Sequence, residues 1–327
     1  MTRIAVLDDW QNEARALADW SPLTARAEVV FFREGLATID AAAAQLADFD
    51  IILTMRERSA MPAALVERLP KLRMVGITGS RAAVIDTAAL RAKGVVVAYT
   101  GARPGSPPPL TSSVATAEIA LGLMLATVRA IPLGDAEIRA GRFQERVPQG
   151  HALAGRTLGL IGLGKIGAMM ARYGTTLGMA VLAWSQNLTE ARAAEAGAKL
   201  VAKADLLARA DVVSLHLVLS DRTRGIVGAA DLARMKPGAV LLNTSRGPLV
   251  DEAALLEALH AGRIRAGLDV YDREPLAPDH PLRTAPNCVL TPHVGYVVRE
   301  VMADFYRQSI ENALDFLDGR PVRNSGP

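Results

Sequence analysis

The chain is poor in residues that cross-link a fold or bind metal clusters. One cysteine, Cys288, stands among 327 residues, which excludes an intramolecular disulfide and a cysteine-ligated metal site. It lies in Asn287-Cys288-Val289-Leu290-Thr291, a stretch that reads as a buried strand carrying a packed thiol. Aromatics are few (6 Phe, 5 Tyr, 3 Trp), and Ala, Leu and Val make up most of the apolar half. That composition suits helices packed on parallel strands. No sign of charge dominates: 37 Lys and Arg face 34 Asp and Glu, and the basic residues are scattered, which argues against a nucleic-acid partner. No apolar run approaches the ~20 residues of a membrane helix. Ile4-Ala5-Val6-Leu7 runs straight into Asp8-Asp9 with no signal peptide before it. The expectation is a cytoplasmic protein with no membrane partner and no metal.

Against these absences stands Gly162-Leu163-Gly164-Lys165-Ile166-Gly167. Thr157–Ile161 before it reads as a buried strand, and Ile166, Met169, Met170, Tyr173 and Leu177 after it recur at helical spacing. A strand, a G-x-G-x-x-G turn and a helix form a dinucleotide-binding start. The first glycine permits the tight turn, the second admits a pyrophosphate to the backbone, and the third lets the helix pack on the strand. The helix N-terminus, at Lys165 and Ile166, offers free N–H groups and a partial positive charge.

The first hundred residues alternate short strand-like runs (Ile4–Leu7, Val29–Phe32, Ile51–Met55, Leu72–Ile77, Val95–Tyr99) with Ala-rich amphipathic stretches. They predict a parallel sheet without a glycine fingerprint. Thr100–Pro109 is rich in Pro and Gly and breaks regular structure. A long helix is expected from Ser113 to Arg129, later strands at Val181–Trp184, Val212–Leu215, Val240–Asn243 and Ala266–Asp269, and a last helix over Val297–Leu317. A dinucleotide unit in mid-chain implies an insertion, with chain crossings near residues 100 and 295 and a cleft between two doubly connected domains.

Three chemistry-bearing segments follow predicted strands. Asn243-Thr244-Ser245-Arg246-Gly247 places a guanidinium at a strand's carboxyl end, where ligands of parallel sheets bind and a planar fork can clamp a carboxylate. Leu268–Leu276 is dense in carboxylates, among them Asp269 and Glu274. Thr291-Pro292-His293-Val294-Gly295 supplies a histidine, the side chain suited to proton transfer near neutral pH. A carboxylate beside it would stabilise the imidazolium and fix the ring. His216 ends a strand at the same crevice, where it lines a cofactor or packs in the core; His151, His260 and His280 lack a comparable setting.

Gly159–Gly167, Ala210–Leu217, Met235–Asp251, Gly267–Leu276 and Thr291–Gly295, in this order and spacing, resemble the D-isomer-specific 2-hydroxyacid dehydrogenases. The resemblance implies an α/β fold of two Rossmann-like domains. A dinucleotide-binding domain (residues 103–295) would be inserted into a flavodoxin-like substrate domain (residues 1–102 plus 296–327). It further implies hydride transfer between a nicotinamide and a 2-keto or 2-hydroxy acid. Arg246 would hold the substrate, His293 would be the acid or base paired with Glu274, and Asp269 would lie near the nicotinamide. Gly162, Gly164, Lys165, Ile166, Gly167, His216, Thr244 and Thr116 would contact or back the cofactor. Gly79, Ser80, Arg81 and Arg56 would meet the substrate, although Ile77–Ala83 departs from the commoner Gly-Val-Gly form of the family. A homodimer is also implied, with the dinucleotide domains in contact.

The pattern fails at one point. An acidic residue is expected at the end of the second dinucleotide strand to bind the ribose hydroxyls, and Ser185-Gln186-Asn187 stands there. Removing the carboxylate removes the repulsion that excludes a 2′-phosphate, yet no Arg follows at once to attract one. The expectation is weak discrimination, leaning to NAD over NADP. Two alternatives stay open: a nucleotide-sensing binding protein similar to the C-terminal binding protein corepressors, and a phosphite-type oxidase on the same scaffold.

Overall fold

The computed structural model describes residues 1–36, 38–79, 83–101 and 112–323. The chain divides into two compact units, Met1–Leu110 with Val298–Pro327, and Thr111–Val297.

The first unit is built on five parallel strands: β1 (Thr2–Val6), β2 (Ala27–Phe31), β3 (Ile51–Thr54), β4 (Met74–Ile77) and β5 (Val96–Tyr99), in the order β2-β1-β3-β4-β5. Every residue of β3 and β4 is buried, as expected of strands covered on both faces. Ile52, Val75 and Ile77 join Leu46, Met61, Leu65 and Leu69 in one core. The terminal helix, Arg299–Leu317, belongs to this unit. Fully buried Asn312 donates from Nδ2 to the Tyr99 carbonyl at 2.9 Å, and the Gly101 amide donates to Gln308 Oε1 at 2.6 Å. Two polar side chains of the terminal helix thus hold the end of β5, which ties together segments some 200 residues apart in the chain.

The second unit holds seven parallel strands: β6 (Thr157–Ile161), β7 (Ala180–Trp184), β8 (Lys199–Leu200), β9 (Val212–Leu215), β10 (Val240–Asn243), β11 (Arg265–Leu268) and β12 (Cys288–Leu290). Their order is β12-β11-β10-β9-β6-β7-β8. The chain starts at β6, runs outward to β8, then crosses over to β9. The β6/β9 boundary is the topological switch point, where ligands bind beyond the carboxyl ends of the strands. Since all seven strands are parallel, Gly162, Ser185, His216, Thr244, Asp269 and Thr291 each lie just past a strand at the same edge of the sheet.

The helix Ser112–Arg129 is 18 residues long with a mean hydropathy of 1.2, enough by length and composition for a membrane crossing. Its bounds lie within one residue of the helix expected over Ser113–Arg129, and Glu118 interrupts its apolar run. Ala117, Ala120, Leu123, Met124 and Val128 are buried as the helix packs on β10, β11 and the helix Lys165–Thr176. One expectation is corrected: the strand around Cys288 is not buried, since β12 is an edge strand and its residues are only half-buried, while the Cys288 side chain still packs against the core. The short strand β8 and the helix Ile131–Arg139 were not anticipated; two residues and a Pro-Gly-containing turn of helix give no periodic signal.

Candidate active site

The glycine loop begins where β6 ends. Gly162 has φ +102°, and a Cβ there would lie 2.4 Å from the His216 carbonyl oxygen. A Cβ on Gly167 would lie 2.2 Å from the Gly162 oxygen, so the helix seats directly on the loop. At Gly164 the space is open: an added Cβ would meet nothing within 4 Å. Gly164 is also the N-cap of Lys165–Thr176, with no side-chain cap and no acidic residue in the first turn. The three glycines therefore do different work, and the middle one presents bare backbone and uncapped N–H groups to a ligand. The Gly162 amide donates to the Trp184 carbonyl at 2.8 Å, which brings Ser185 and the exposed Gln186 and Asn187 alongside the loop.

Two buried polar atoms at this edge lack protein partners among the described residues: Nδ1 of His216 and Oγ1 of Thr244. His216 shares a 2.9 Å hydrogen bond between Nε2 and Ser214 Oγ, and burial lowers its pKa to about 4, so the ring is neutral at neutral pH. Orphaned polar atoms at the same sheet edge as an open glycine backbone fit a polar ligand such as a dinucleotide.

Arg246 is carried by a loop fixed from within. Asn243, buried at the end of β10, donates from Nδ2 to the Arg246 carbonyl at 2.8 Å and accepts from the Ser245 amide at 3.1 Å. Ser245 Oγ donates to the Leu215 carbonyl at 2.8 Å, which ties the loop to the end of β9. A Cβ on Gly247 would fall 2.0 Å from the Tyr271 carbonyl carbon, so the Arg246 loop is pressed against the segment that carries Glu274.

His293 Nδ1 donates to Glu274 Oε2 at 2.5 Å, and both side chains remain partly exposed. The Tyr271 amide donates to the other Glu274 oxygen at 2.9 Å, and the Tyr271 hydroxyl donates to the Thr291 carbonyl at 2.9 Å. His293 itself has φ +54°, an uncommon backbone state for a histidine. Asp269 holds that turn. Its Oδ1 accepts from Thr291 Oγ1 at 2.6 Å and from the Val294 amide at 2.9 Å, and its Oδ2 accepts from the Gly295 amide at 2.8 Å. Burial raises the Asp269 pKa, against the pull of these hydrogen bonds and of His293. The Tyr296 ring meets the His293 ring edge-on, with centroids 5.8 Å apart.

Arg246, Glu274, His293 and Asp269 thus belong to one unit and are linked by short loops at successive strand ends. Thr116 donates to the Ser112 and Gly295 carbonyls, at 2.7 and 3.1 Å, so it backs the histidine turn. In the first unit, Gly79 has φ +88° and its amide donates to Thr100 Oγ1 at 2.7 Å, so that N–H is already engaged within the protein. A Cβ on Gly79 would lie 1.9 Å from Arg56 Nη1; the glycine makes room for that guanidinium. Ser80 and Arg81 lie outside the described residues. Asn243 and Tyr271 were missed by sequence reasoning. Each acts through contacts to backbone, and no motif marks such contacts.

Residues 121–295 match the D-isomer specific 2-hydroxyacid dehydrogenase NAD binding domain. The chain is 31% identical to a hydroxypyruvate reductase of Blautia hydrogenotrophica, over 98% of each protein. It is 35% identical to a D-3-phosphoglycerate dehydrogenase of Archaeoglobus fulgidus over 84% of this chain and 50% of that protein, and so spans about half the length of that relative. A crystal structure of a phosphoglycerate oxidoreductase from Vibrio cholerae superimposes with a TM-score of 0.89 at 35% identity, covering 98% of this chain and 100% of that one.

Proposed function

The chain belongs to the D-isomer specific 2-hydroxyacid dehydrogenase family, and we propose from that premise that it interconverts a 2-keto acid and a D-2-hydroxy acid with a nicotinamide cofactor. The observation that carries the proposal is the 2.5 Å contact between His293 Nδ1 and Glu274. A carboxylate accepts the Nδ1 proton and fixes the ring, which leaves Nε2 to exchange a proton with the substrate oxygen. In the reducing direction, His293 gives its Nε2 proton to the keto oxygen while Glu274 stabilises the imidazolium. In the oxidising direction, Nε2 takes the hydroxyl proton back. Arg246 clamps the substrate carboxylate and favours negative charge on the reacting oxygen.

Gly162, Gly164, Lys165, Ile166 and Gly167 would hold the pyrophosphate, with His216, Thr244 and Asp269 toward the nicotinamide and Thr116 behind it. When bound, the nicotinamide supplies or accepts the hydride. Ser185, Gln186 and Asn187 would hydrogen-bond the ribose without excluding a 2′-phosphate. We assign a slight preference for NAD over NADP on this basis, because no cation follows Ser185 at once. Residues 1–102 with 296–327 are assigned as the substrate-binding domain, where the guanidinium of Arg56 over Gly79 supports an acidic substrate. Ile131, Leu133, Ile138 and Phe143 are exposed large apolar side chains close together in sequence, which supports a homodimer formed through this part of the second unit.

The test is oxidation of NADH and NADPH against glyoxylate, hydroxypyruvate, pyruvate, phenylpyruvate and 2-oxoglutarate, with His293→Ala as control. Turnover that collapses in the variant is the expected result. Tight dinucleotide binding with no turnover of any acid would overturn the proposal.

A further inference from the structure

The second unit carries a charged cavity at the end of its sheet opposite the glycine loop. Its wall is formed by the amino ends of β6, β9, β10 and β11, and its volume is about 70 Å³. Arg156, Lys236 and Arg265 line it together with a single carboxylate, Asp211. That carboxylate is fully engaged. One oxygen accepts from the Thr157 amide at 2.8 Å, and the other accepts from Lys236 Nζ at 3.0 Å and from Arg156 Nη1 at 3.4 Å. Arg265 has no share in it. Its Nε and Nη2 lean on one carbonyl, that of Gly238, at 3.4 Å each, and it makes no ion pair among the described residues. Burial first, and then the neighbouring Arg156 charge, depress its pKa.

Three fixed cations against one anion leave a net charge of +2 around a half-enclosed space. By the same measure of volume, one water needs about 10–15 Å³, so the cavity has room for a small polyatomic ion. Two guanidinium forks and an ammonium offer donors matched to tetrahedral oxyanions. We propose that this cavity binds a phosphate-sized dianion, held by Arg265, Lys236 and Arg156. The site is separate from the glycine loop and does not depend on the reaction assigned above. Occupation would link the starts of β6, β10 and β11, whose far ends carry the glycine loop, Arg246 and Asp269, so it would stabilise the unit that bears the chemistry.

The experiment is thermal unfolding of the full chain with inorganic phosphate, compared with sodium chloride at matched ionic strength and pH. Wild type, Arg265→Gln and Lys236→Gln are measured side by side. All three share the glycine loop, so phosphate bound there cancels in the comparison. At a phosphate concentration about ten times its Kd, the wild-type midpoint should rise by roughly 3–6 °C over chloride. Less than half that rise should survive in either variant. In chloride alone, Arg265→Gln should be at least as stable as wild type, because it removes the crowded charge. If Arg265→Gln does not fold, Lys236→Gln carries the comparison. No rise in the wild type, or an equal rise in all three proteins, overturns the proposal.

Discussion

The carboxylate of Asp269 accepts the amide of Gly295 at 2.8 Å, and a Cβ on Gly295 would lie 2.9 Å from that same oxygen. The end of β11 therefore grips the turn after β12 at a point where only a glycine fits. Together with the bonds to Thr291 and Val294, this contact holds His293 at its positive φ.

Asp269→Asn keeps the shape but cannot accept three hydrogen bonds, since its amide nitrogen is a donor. Each amide left unpaired in a buried site costs about 1–3 kcal/mol. Activity should fall about 10- to 100-fold, with a lower unfolding midpoint. An unchanged kcat would show that the turn is held without Asp269.

Gly247→Ala should be among the most damaging small substitutions in the chain. The added methyl meets the Tyr271 backbone at 2.0 Å, and backbone cannot step aside as a flexible side chain can. A loss of about 1–3 kcal/mol or more is expected. It should appear as a fall in midpoint of at least 2 °C, along with loss of activity as the Arg246 and Glu274 segments part. Full activity with native stability would refute the packing argument.

His293→Ala removes the proton donor and should lower kcat by about 10²–10⁴. Glu274→Gln keeps a hydrogen-bond acceptor for Nδ1 but loses the charge that favours imidazolium, so its deficit should be the smaller one. Steady-state rates for both variants decide the order. If Glu274→Gln proves the worse, Glu274 does more than support the histidine.

Ser185→Asp restores the carboxylate that the chain lacks beside the glycine loop. Repulsion of a 2′-phosphate should lower kcat/KM for NADPH at least about tenfold while leaving NADH within a fewfold. Equal losses with both cofactors would place residue 185 away from the ribose.

Asp8 is buried at the end of β1 with φ +62°. Its Oδ1 accepts from Ser59 Oγ at 2.8 Å, and its Oδ2 is without a partner among the described residues. Burial pushes its pKa from 3.8 up to about 6. A carboxyl whose folded pKa is raised stabilises the fold fully below the unfolded value and loses that contribution as pH rises through the folded one. Asp8→Asn does not titrate. Its stability relative to wild type should therefore improve between about pH 4 and 7, by up to about 3 kcal/mol. His216 is common to both proteins and cancels. Unfolding midpoints across that range that move in parallel would exclude the effect.

Much of this was legible in the residues. The strand runs around β3, β4, β9 and β10 are continuous apolar segments, because both faces of a parallel sheet are covered. The glycine loop and Arg246 come soon after β6 and β10, and Glu274 and His293 lie in the loops after β11 and β12. Sequence order alone thus places them just past strands, and parallel strands bring those ends to one edge. The Cys288 side chain packs on the core as expected, but its strand is only half-buried, because burial of a strand depends on whether it lies inside the sheet or at its edge, and a local run of apolar residues does not report that.

By itself, then, the sequence determined the parallel α/β architecture, the glycine turn and the set of side chains able to do chemistry, since these depend on local periodicity and on backbone freedom at single residues. Only the tertiary structure decided which of them touch: Asp269 with the turn of His293, Gly247 with Tyr271, and Arg156 with Lys236 around Asp211. Those contacts join residues 24 to 80 positions apart in the chain. They follow from the order of strands in the sheet, which is set by packing of the whole unit and not by any one segment.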